Sequence, residues 1–311
     1  DLSLLLLNLC LFIFYYIACF MKISVCIIVY KTKYLEHSFK SLINQTYKDI
    51  EFLILDQEDG VWSAADFLEE KFNLSCDSRF IIEKGPNLWH SGGMNRLAKK
   101  ASGDLVVIAS NDMYYPLDFF ADIANYVKDS DSSVFCPVLC RWDYNNNQAL
   151  TTEIDTIGIN FDRKLYFTEP FSGNQLSETN IPDFVDGPNG AMGVFTGNAI
   201  QEIVDTDGFL FDPQLHYKND CEQTLRIKKL GLKIEVMKNV IAYHDRQAAF
   251  YKNKSRALIE SSFLGDLRLL KKHLSFDFTY FNPIFATFFY TAKFIFLLIR
   301  YPYLCKQIRK I

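Results

Sequence analysis

The sequence predicts an α/β protein built on a doubly wound, mostly parallel sheet flanked by helices. Short apolar runs rich in β-branched residues, such as Ile23–Val29, lack polar alternation and suit strands that are buried on both faces. Segments with apolar residues at helical spacing separate these runs. Strands that alternate with helices indicate a doubly wound sheet, in which ligands bind beyond the carboxyl ends of the strands.

The predicted elements follow one another regularly along the chain. The first strand precedes a helix over Leu35–Asn44, and a second strand ends at Asp56. The pattern then predicts helices at Ala64–Phe72, Gly92–Lys100 and Asp220–Leu230, and strands at Arg79–Ile82, Asp104–Ala109, Ala191–Phe195 and Lys233–Val236. A further short strand leads to His244. Residues 141–188, rich in Asn, Asp, Thr and Gly, are expected to form an insertion of loops and short strands.

The composition limits the class of protein. The chain has 311 residues, of which 49% are hydrophobic, so it can form a sizeable core. A net charge of −4 argues against nucleic acid as the main partner, which would require a basic surface. The eight cysteines are scattered without metal-binding spacing, which favours buried thiols in a reducing compartment.

The first 20 residues form an apolar segment. Leu2 to Phe20 carry no charge and are long enough to span a bilayer. Met21 lies directly before the first strand, so these residues are either a membrane span or upstream read-through before a start at Met21. Both interpretations stay open.

Acidic residues at strand ends are the first candidates for chemistry. Asp56 and Asp112 both follow buried strands, where a carboxylate can bind a ribose, a base or a divalent cation. For either residue alone, a cap or turn role is the commoner explanation. Two acidic residues at corresponding strand ends favour a nucleotide-binding site. Because no GxGxxG loop is present, this site would differ from those that bind dinucleotides.

Two later segments add further candidates. The run Asn87–Asn95 contains Gly92-Gly93 before a helix, where the backbone can approach a phosphate or a sugar hydroxyl, although an ordinary glycine turn has the same pattern. Asp220 opens a helix and is either its cap or a general base towards a hydroxyl. His244, after an apolar run, is either structural or a ligand of a phosphate-bound cation.

Over Lys22 to His244 the chain resembles glycosyltransferase family 2, with the GT-A fold, in its rhamnosyltransferase-like branch. The opening ISVCIIVYKTKYLEHSFKSLINQTYKDIEFLILD is very similar to the start of that family. ASGDLVVIASNDMYYP is similar to the stretch with the metal-binding DXD motif, and GFLFDPQLHYKNDCEQTLRIKKLG to the segment with the acidic catalytic pair.

The resemblance implies a role for each matching residue. Asp220 would be the catalytic base, and Asp112 and His244 would bind a magnesium or manganese ion. The donor nucleotide sugar would contact Asp56 through its uracil or thymine side. The remaining substrate-binding residues would be Asn87, Gly92, Gly93, Asn95, Asn111 and Asn219.

The implied reaction is metal-dependent, inverting transfer of a hexosyl or deoxyhexosyl group. The donor would be a UDP- or dTDP-sugar, and the acceptor a glycan or lipid-linked glycan in cell-surface polysaccharide synthesis. Ser110 stands where the first Asp of DXD is usual and Asn219 where Glu is usual, so an inactive relative that binds nucleotide sugars or glycans is the alternative. The missing GxGxxG loop argues against an oxidoreductase. A sugar nucleotidyltransferase would need a glycine-rich opening loop, which Val29-Tyr30-Lys31-Thr32 replaces.

The helical region 246–311 follows a catalytic domain over 22–245. Phe276–Tyr303 is dense in aromatic and aliphatic residues, but Lys293 interrupts it, which argues against a transmembrane helix. The basic residues Arg300, Lys306, Arg309 and Lys310 favour a helix lying in a membrane interface. We therefore expect a cytoplasmic protein, peripheral at the inner face of the cell membrane. The alternative is a helix packed on the catalytic domain or on a second subunit.

Overall fold

The computed structural model describes residues 21–30, 33–58, 60, 62–246, 255–274 and 279–308. The apolar segment 1–20, and Phe276, Arg309 and Lys310 of the tail, lie outside the described residues. The strands are β1 Ile23–Val29, β2 Ile50–Glu58, β3 Phe80–Pro86, β4 Leu105–Ala109, β5 Met113–Tyr114, β6 Val134–Asp143, β7 Ala149–Thr156, β8 Asn160–Phe161, β9 Phe167–Thr168, β10 Met192–Thr196 and β11 Ile234–His244. The helices are α1 Leu35–Ile43, α2 Ala64–Phe72, α3 Trp89–Ala98, α4 Phe119–Lys128, α5 Gly197–Asp207, α6 Asn219–Lys229, α7 Arg256–His273 and α8 Pro283–Arg300.

A nine-stranded mixed sheet organises the chain, in the order β3-β2-β1-β4-β10-β6-β11-β5, with β7 beside β6. The half formed by β3, β2, β1 and β4 is parallel. Strand β10 runs antiparallel to both β4 and β6, and β11 runs parallel to β6. The predicted mostly parallel, helix-flanked sheet is therefore confirmed.

Both faces of the sheet are buried, as the apolar runs predict. Along β1, the side chains of Val25 and Ile27 face the helices α1, α2 and α4, while those of Cys26 and Ile28 face α3 and α5. All seven residues of β1 are buried. Because consecutive side chains of a strand point to opposite faces, only an uninterrupted apolar run can fill both layers.

The helix starts and ends follow local capping chemistry. The Ser63 side chain accepts a hydrogen bond from the Asp66 amide, and that of Thr196 from the Ala199 amide, so both begin helices as N-caps. Gly208, with φ of 81°, ends α5 in the left-handed conformation that glycine adopts without strain.

The structure extends or shifts several predicted elements. The helix expected from Gly92 begins at Trp89, and the two short strands expected before His244 form one strand, β11, with a register irregularity between Met237 and Ile241. The insertion 141–188 contains an eight-residue strand, β7, besides the short hairpin β8–β9. The structure also contains helices α4 and α5 and strand β6, which are not among the predicted elements.

Two C-terminal helices pack on one side of the domain. Helix α8 contacts the β8–β9 hairpin and α6, where Tyr290 donates a hydrogen bond of 2.8 Å to the Leu165 carbonyl. Within the described ranges, α8 is the helix long and apolar enough to cross a membrane, with 18 residues and a mean hydropathy of 1.4. Its Lys293 is directed inward, where its Nζ lies 2.7 Å from the Asp266 carboxylate.

Candidate active site

A cavity of about 600 Å³ opens beyond the carboxyl ends of β4 and β11. Four of the predicted residues line it: Asp112, Asn219, Asp220 and His244. They come from three separate parts of the fold, namely the turn after β4, the first turn of α6 and the end of β11. The other lining residues are His90, Ser110, Ile159, Phe167, Thr168, Glu169, Asn189, Gly190, Ala191, His216, Tyr217, Lys218, Cys221 and Arg246.

His244 lies between two carboxylates on one wall of the cavity. Its Nε2 is 3.3 Å from Asp112 Oδ1, and its Nδ1 is 2.8 Å from Oδ2 of the fully buried Asp155. Ser110 donates a hydrogen bond of 2.5 Å to Asp112 Oδ1. Burial opposes the charged imidazole, but the two carboxylates raise the pKa of His244 to about 10. Together these contacts fix the orientation of Asp112 at the cavity wall.

The carboxylate of Asp220 is held by two backbone amides. Its Oδ1 accepts from the Cys221 amide at 2.8 Å, and its Oδ2 accepts from the Gly190 amide at 3.1 Å. It lies in the first turn of α6, where the helix dipole favours a negative charge. Each oxygen keeps a second lone pair, so the carboxylate can also accept a proton from a hydroxyl in the cavity.

Asn219 is engaged with the helix α3 rather than free in the cavity. Its Nδ2 lies 2.7 Å from His90 Nδ1 and 3.1 Å from Ser91 Oγ. Burial lowers the pKa of His90, against the opposing effect of the Asp220 charge, so the imidazole is neutral near pH 7. Because Nδ1 accepts from Asn219, the proton is on Nε2. That atom makes no hydrogen bond of normal geometry with the described residues, although the Gly190 backbone is nearby.

A second ionic pair on the cavity wall adjoins the first through Asp155. The Arg246 guanidinium pairs with the Glu169 carboxylate and lies 3.8 Å from Asp155. Glu169 also accepts a hydrogen bond from the Asn189 amide group. Burial raises the pKa of Glu169, although the charge of Arg246 works against the shift. These polar groups make the cavity suited to a ligand with several hydroxyl or phosphate oxygens.

Asp56 lies at the end of β2, outside the residues that line the cavity. Its side chain is 2% exposed, and its Oδ2 accepts hydrogen bonds from Ser63 Oγ and the Ala65 amide, both at 2.9 Å. These bonds tie the end of β2 to the start of α2. Asp56 therefore has a clear structural role, and its contact with a donor base stays a prediction.

The predicted substrate-binding residues Asn87, Gly92, Gly93, Asn95 and Asn111 also lie outside the cavity lining. The side-chain oxygen Oδ1 of Asn87 accepts a hydrogen bond of 2.9 Å from the Trp89 amide, and the Asn111 side chain donates to the Ile28 carbonyl at 2.9 Å. Asn95 accepts from the Leu210 and Phe211 amides. Added Cβ atoms at Gly92 and Gly93 would lie 3.0 Å from Leu88 and 2.7 Å from Ile28. The small glycine residues thus let α3 pack closely against the sheet. The predicted role of these residues in donor binding stays a prediction.

The donor set at Asp112 and His244 fits a divalent cation. A carboxylate and an imidazole nitrogen converge there at 3.3 Å, and Mg²⁺ or Mn²⁺ bound with a phosphorylated ligand takes few protein ligands beside phosphate oxygens and water. Across the described part of the chain, no group of three or more His, Cys, Asp or Glu side chains is arranged to hold a metal. The diphosphate and water would therefore complete the coordination, and His244 would have to release its proton.

Sequence reasoning missed several residues of the cavity lining, and also Asp155, which lies behind the lining and contacts His244. Asp155 lies in the segment expected to be irregular, although Ile154, Asp155 and Thr156 are buried. Arg246 follows the predicted site residue His244 by two positions, and this proximity in the sequence could have identified it. His90 lies inside the glycine-rich segment, which was selected for the backbone properties of its glycines rather than for its side chains. Glu169 has no sequence signal, because only the hairpin β8–β9 brings it to the cavity.

Comparison with known proteins identifies a family and several similar folds. The family described as glycosyl transferase family 2 matches residues 24–188. A search of curated proteins gives no match. Among solved structures, the S. aureus TarS fragment 1–349 in complex with UDP is similar, with 16% identity, a TM-score of 0.51, and coverage of 79% of this chain and 66% of that one.

Two further solved structures share the fold. A mannosyltransferase from Pyrobaculum calidifontis, in complex with GDP-Man and Mn²⁺, has 15% identity and a TM-score of 0.54, covering 82% of this chain and 64% of that one. GalNAc-T7 with UDP, GalNAc and Mn²⁺ has 14% identity and a TM-score of 0.58, covering 81% and 48%. The chain thus spans less than two thirds of the length of these structures, and the similarity extends to the fold alone.

Proposed function

The chain belongs to glycosyl transferase family 2, and from that premise we propose that it transfers a sugar, with inversion, from a nucleotide-sugar donor to a hydroxyl group of a glycan or lipid-linked glycan. The observation that carries this proposal is the convergence of Asp112, Asp220 and His244 on one cavity. A general base and a candidate cation site on the same cavity are what a sugar transfer with a diphosphate leaving group requires.

Asp220 is the base of the proposed reaction. The acceptor hydroxyl oxygen attacks the anomeric carbon of the donor sugar, and the bond from that carbon to the diphosphate oxygen breaks. The hydroxyl proton passes to an Asp220 oxygen, while the nucleoside diphosphate leaves with the bonding electron pair. The amides of Cys221 and Gly190 hold the carboxylate in one orientation, which lowers the entropic cost of the transfer geometry.

Asp112 and His244 are the residues that would hold a magnesium or manganese ion. The ion, when bound, would neutralise charge on the diphosphate. On the protein side, Ser110 and Asp155 orient these two ligands through hydrogen bonds. Such hydrogen-bond partners fix the rotamer and the tautomer of a side chain that binds a metal. Ser110 thus has a role here although an acidic residue is usual at its position.

The finer identity of the substrates rests on the resemblance of the sequence. We propose a UDP- or dTDP-linked hexose or deoxyhexose as donor, including the rhamnosyl class, and a role in cell-surface polysaccharide synthesis. The polar cavity, with the Glu169–Arg246 pair on its wall, supports a hydroxyl-rich ligand. The free cysteines of the described residues support a cytoplasmic location.

The surface of α8 supports attachment to the inner face of the cell membrane. Its outward side chains include Phe285, Phe288, Ile295, Phe296 and Ile299, which are 54–76% exposed. Because Lys293 points inward, this face carries no charge until Arg300 at its end. The opposite side packs on the domain through Ala286 and Tyr290, so lipid cannot surround the helix, and an orientation along the membrane surface follows.

The test of the proposed function is an assay of the purified protein with a panel of UDP- and dTDP-sugars and Mg²⁺ or Mn²⁺. Release of nucleoside diphosphate that depends on one donor, together with a glycosylated product, is the expected result. Tight donor binding without release or transfer, for every donor and acceptor offered, would instead favour the inactive, nucleotide-sugar- or glycan-binding alternative. The engagement of Asn219 with His90 is the observation in favour of that alternative.

A further inference from the structure

The C-terminal helix α7 holds the segment that carries the proposed base. Asp266 on α7 is 1% exposed and pairs with two lysines. One is Lys218, which lines the cavity directly before Asn219 and Asp220, and the other is Lys293 on α8, whose Nζ lies 2.7 Å from Asp266 Oδ2. A single buried carboxylate therefore joins the cavity wall to both C-terminal helices.

Lys218 needs external support, because its backbone is in the left-handed region, with φ of 63°. A residue with a side chain adopts this conformation at a steric cost, because its Cβ comes close to the following carbonyl oxygen. Its carbonyl accepts the first hydrogen bond of α6, from the Glu222 amide at 3.0 Å. The conformation of Lys218 consequently sets the direction in which α6 begins and the position of Asp220.

Four other contacts hold residues 214–222 against α7. An added Cβ at Gly265 would lie 2.7 Å from the Tyr217 carbonyl oxygen, so the absence of a side chain there permits close backbone approach. Arg268 donates to the Gln214 carbonyl. In the first turn of α6, Glu222 pairs with Lys272 at 2.7 Å and with His273 at 3.1 Å. These contacts all come from outside the family match at residues 24–188.

The geometry points to Asp266 as a positioning residue: it fixes Lys218, and through it the Asp220 carboxylate, by joining the cavity wall to α7 and α8. This inference rests on the proposed function for its effect on catalysis. A carboxylate shared by two ammonium groups cannot be neutralised without leaving two like charges close together in a buried place. The contact is thus specific to Asp266 and cannot be supplied by water.

The experiment compares Asp266→Asn with Glu260→Gln in the full chain. Glu260→Gln is the matched control, because it breaks an ion pair with Arg256 on the same helix, away from the cavity. Hydrogen exchange of residues 214–222 is measured first, since it needs no activity. We expect faster exchange in Asp266→Asn alone, a fall in kcat of at least about tenfold, and an unchanged KM for the donor.

A second variant separates positioning from general stability. Adding Lys293→Met to Asp266→Asn removes the repulsion between the two lysines, so the melting temperature should recover while kcat stays low. If kcat recovers together with the melting temperature, or exchange of 214–222 is unchanged in Asp266→Asn, the positioning role is wrong. A wild-type protein without transfer activity, but with faster exchange in Asp266→Asn, would contradict the proposed function and leave the structural coupling intact.

Discussion

The imidazole of His244 lies 3.3 Å from the Asp112 carboxylate, across the antiparallel contact that pairs His244 with Met113. This relationship joins the end of β11 to the turn after β4 and creates the candidate cation site. It also predicts that the two residues act together on any phosphorylated ligand.

Replacement of Asp112 by Ala should abolish transfer and leave the fold intact, because the residue lies at a strand end rather than in the core. The measurement is donor-dependent transfer with Mg²⁺ or Mn²⁺, beside a thermal melt. Asp143→Ala, an exposed carboxylate at the end of β6, is the matched control and should retain activity. Transfer by Asp112→Ala at the parental rate, or parental activity after full chelation, would contradict the metal role.

Replacement of Asp220 by Asn keeps the shape of the side chain and removes its ability to take a proton. We expect near-normal donor binding, measured by calorimetry, and transfer reduced by at least about a hundredfold, the low end of a general-base contribution. Asp66→Asn, in the first turn of α2, is a control for the same change at another helix start. Equal turnover of Asp220→Asn and the parent would remove Asp220 as the base.

Replacement of Asp56 by Ala tests its structural role against its predicted role in donor binding. Loss of the bonds from Ser63 and the Ala65 amide should reduce the free energy of unfolding by about 1–3 kcal/mol, because buried donors lose their partner. Denaturant unfolding measures this, and calorimetry measures donor affinity. Unchanged affinity in the folded variant would show that Asp56 does not contact the donor.

Stability should fall at acidic pH through Glu222. Burial would raise its pKa, but the hydrogen bond with His273 and the charges of Arg226 and Lys272 lower the pKa to about 2. The unfolded chain binds this proton more readily, so the stabilisation is complete above about pH 4.5 and is lost as the pH falls towards 2. Glu222→Gln should be less stable at pH 7 and should lack this part of the pH dependence. If the free energies of unfolding of the parent and of Glu222→Gln change by the same amount between pH 6 and pH 3, the prediction is wrong.

The exposed face of α8 should bind anionic vesicles. Phe288→Glu with Phe296→Glu places two charges on this face, so flotation with vesicles containing phosphatidylserine should be lost. Phe184→Glu, at a phenylalanine that is 66% exposed elsewhere on the domain, should float like the parent. If the double variant and the parent float equally, or neither binds, α8 is not the anchor. A parent protein that is a dimer on size exclusion, and a double variant that is a monomer, would point to a second subunit instead.

The sequence by itself determined the class of the fold and predicted candidate residues for chemistry along the chain. Uninterrupted apolar runs such as Ile23–Val29 predict strands buried on both faces, since the signal depends only on neighbouring residues. The order of the short segments around Asp56, Asp112, Asp220 and His244 indicated the family, which is confirmed over residues 24–188. The rhamnosyltransferase-like branch stays a prediction.

Only the tertiary structure decided which side chains meet. Asn95, Asn111 and Asn219 are all asparagines near predicted site residues, yet long-range packing directs the first two to backbone groups and the third to the side chains of His90 and Ser91. Lys293 interrupts an apolar run in the sequence, but the buried Asp266 draws it inward and leaves an uncharged surface. The physical reason is that periodicity is a local property, whereas the partner of a polar group is set by distant segments that the fold brings together.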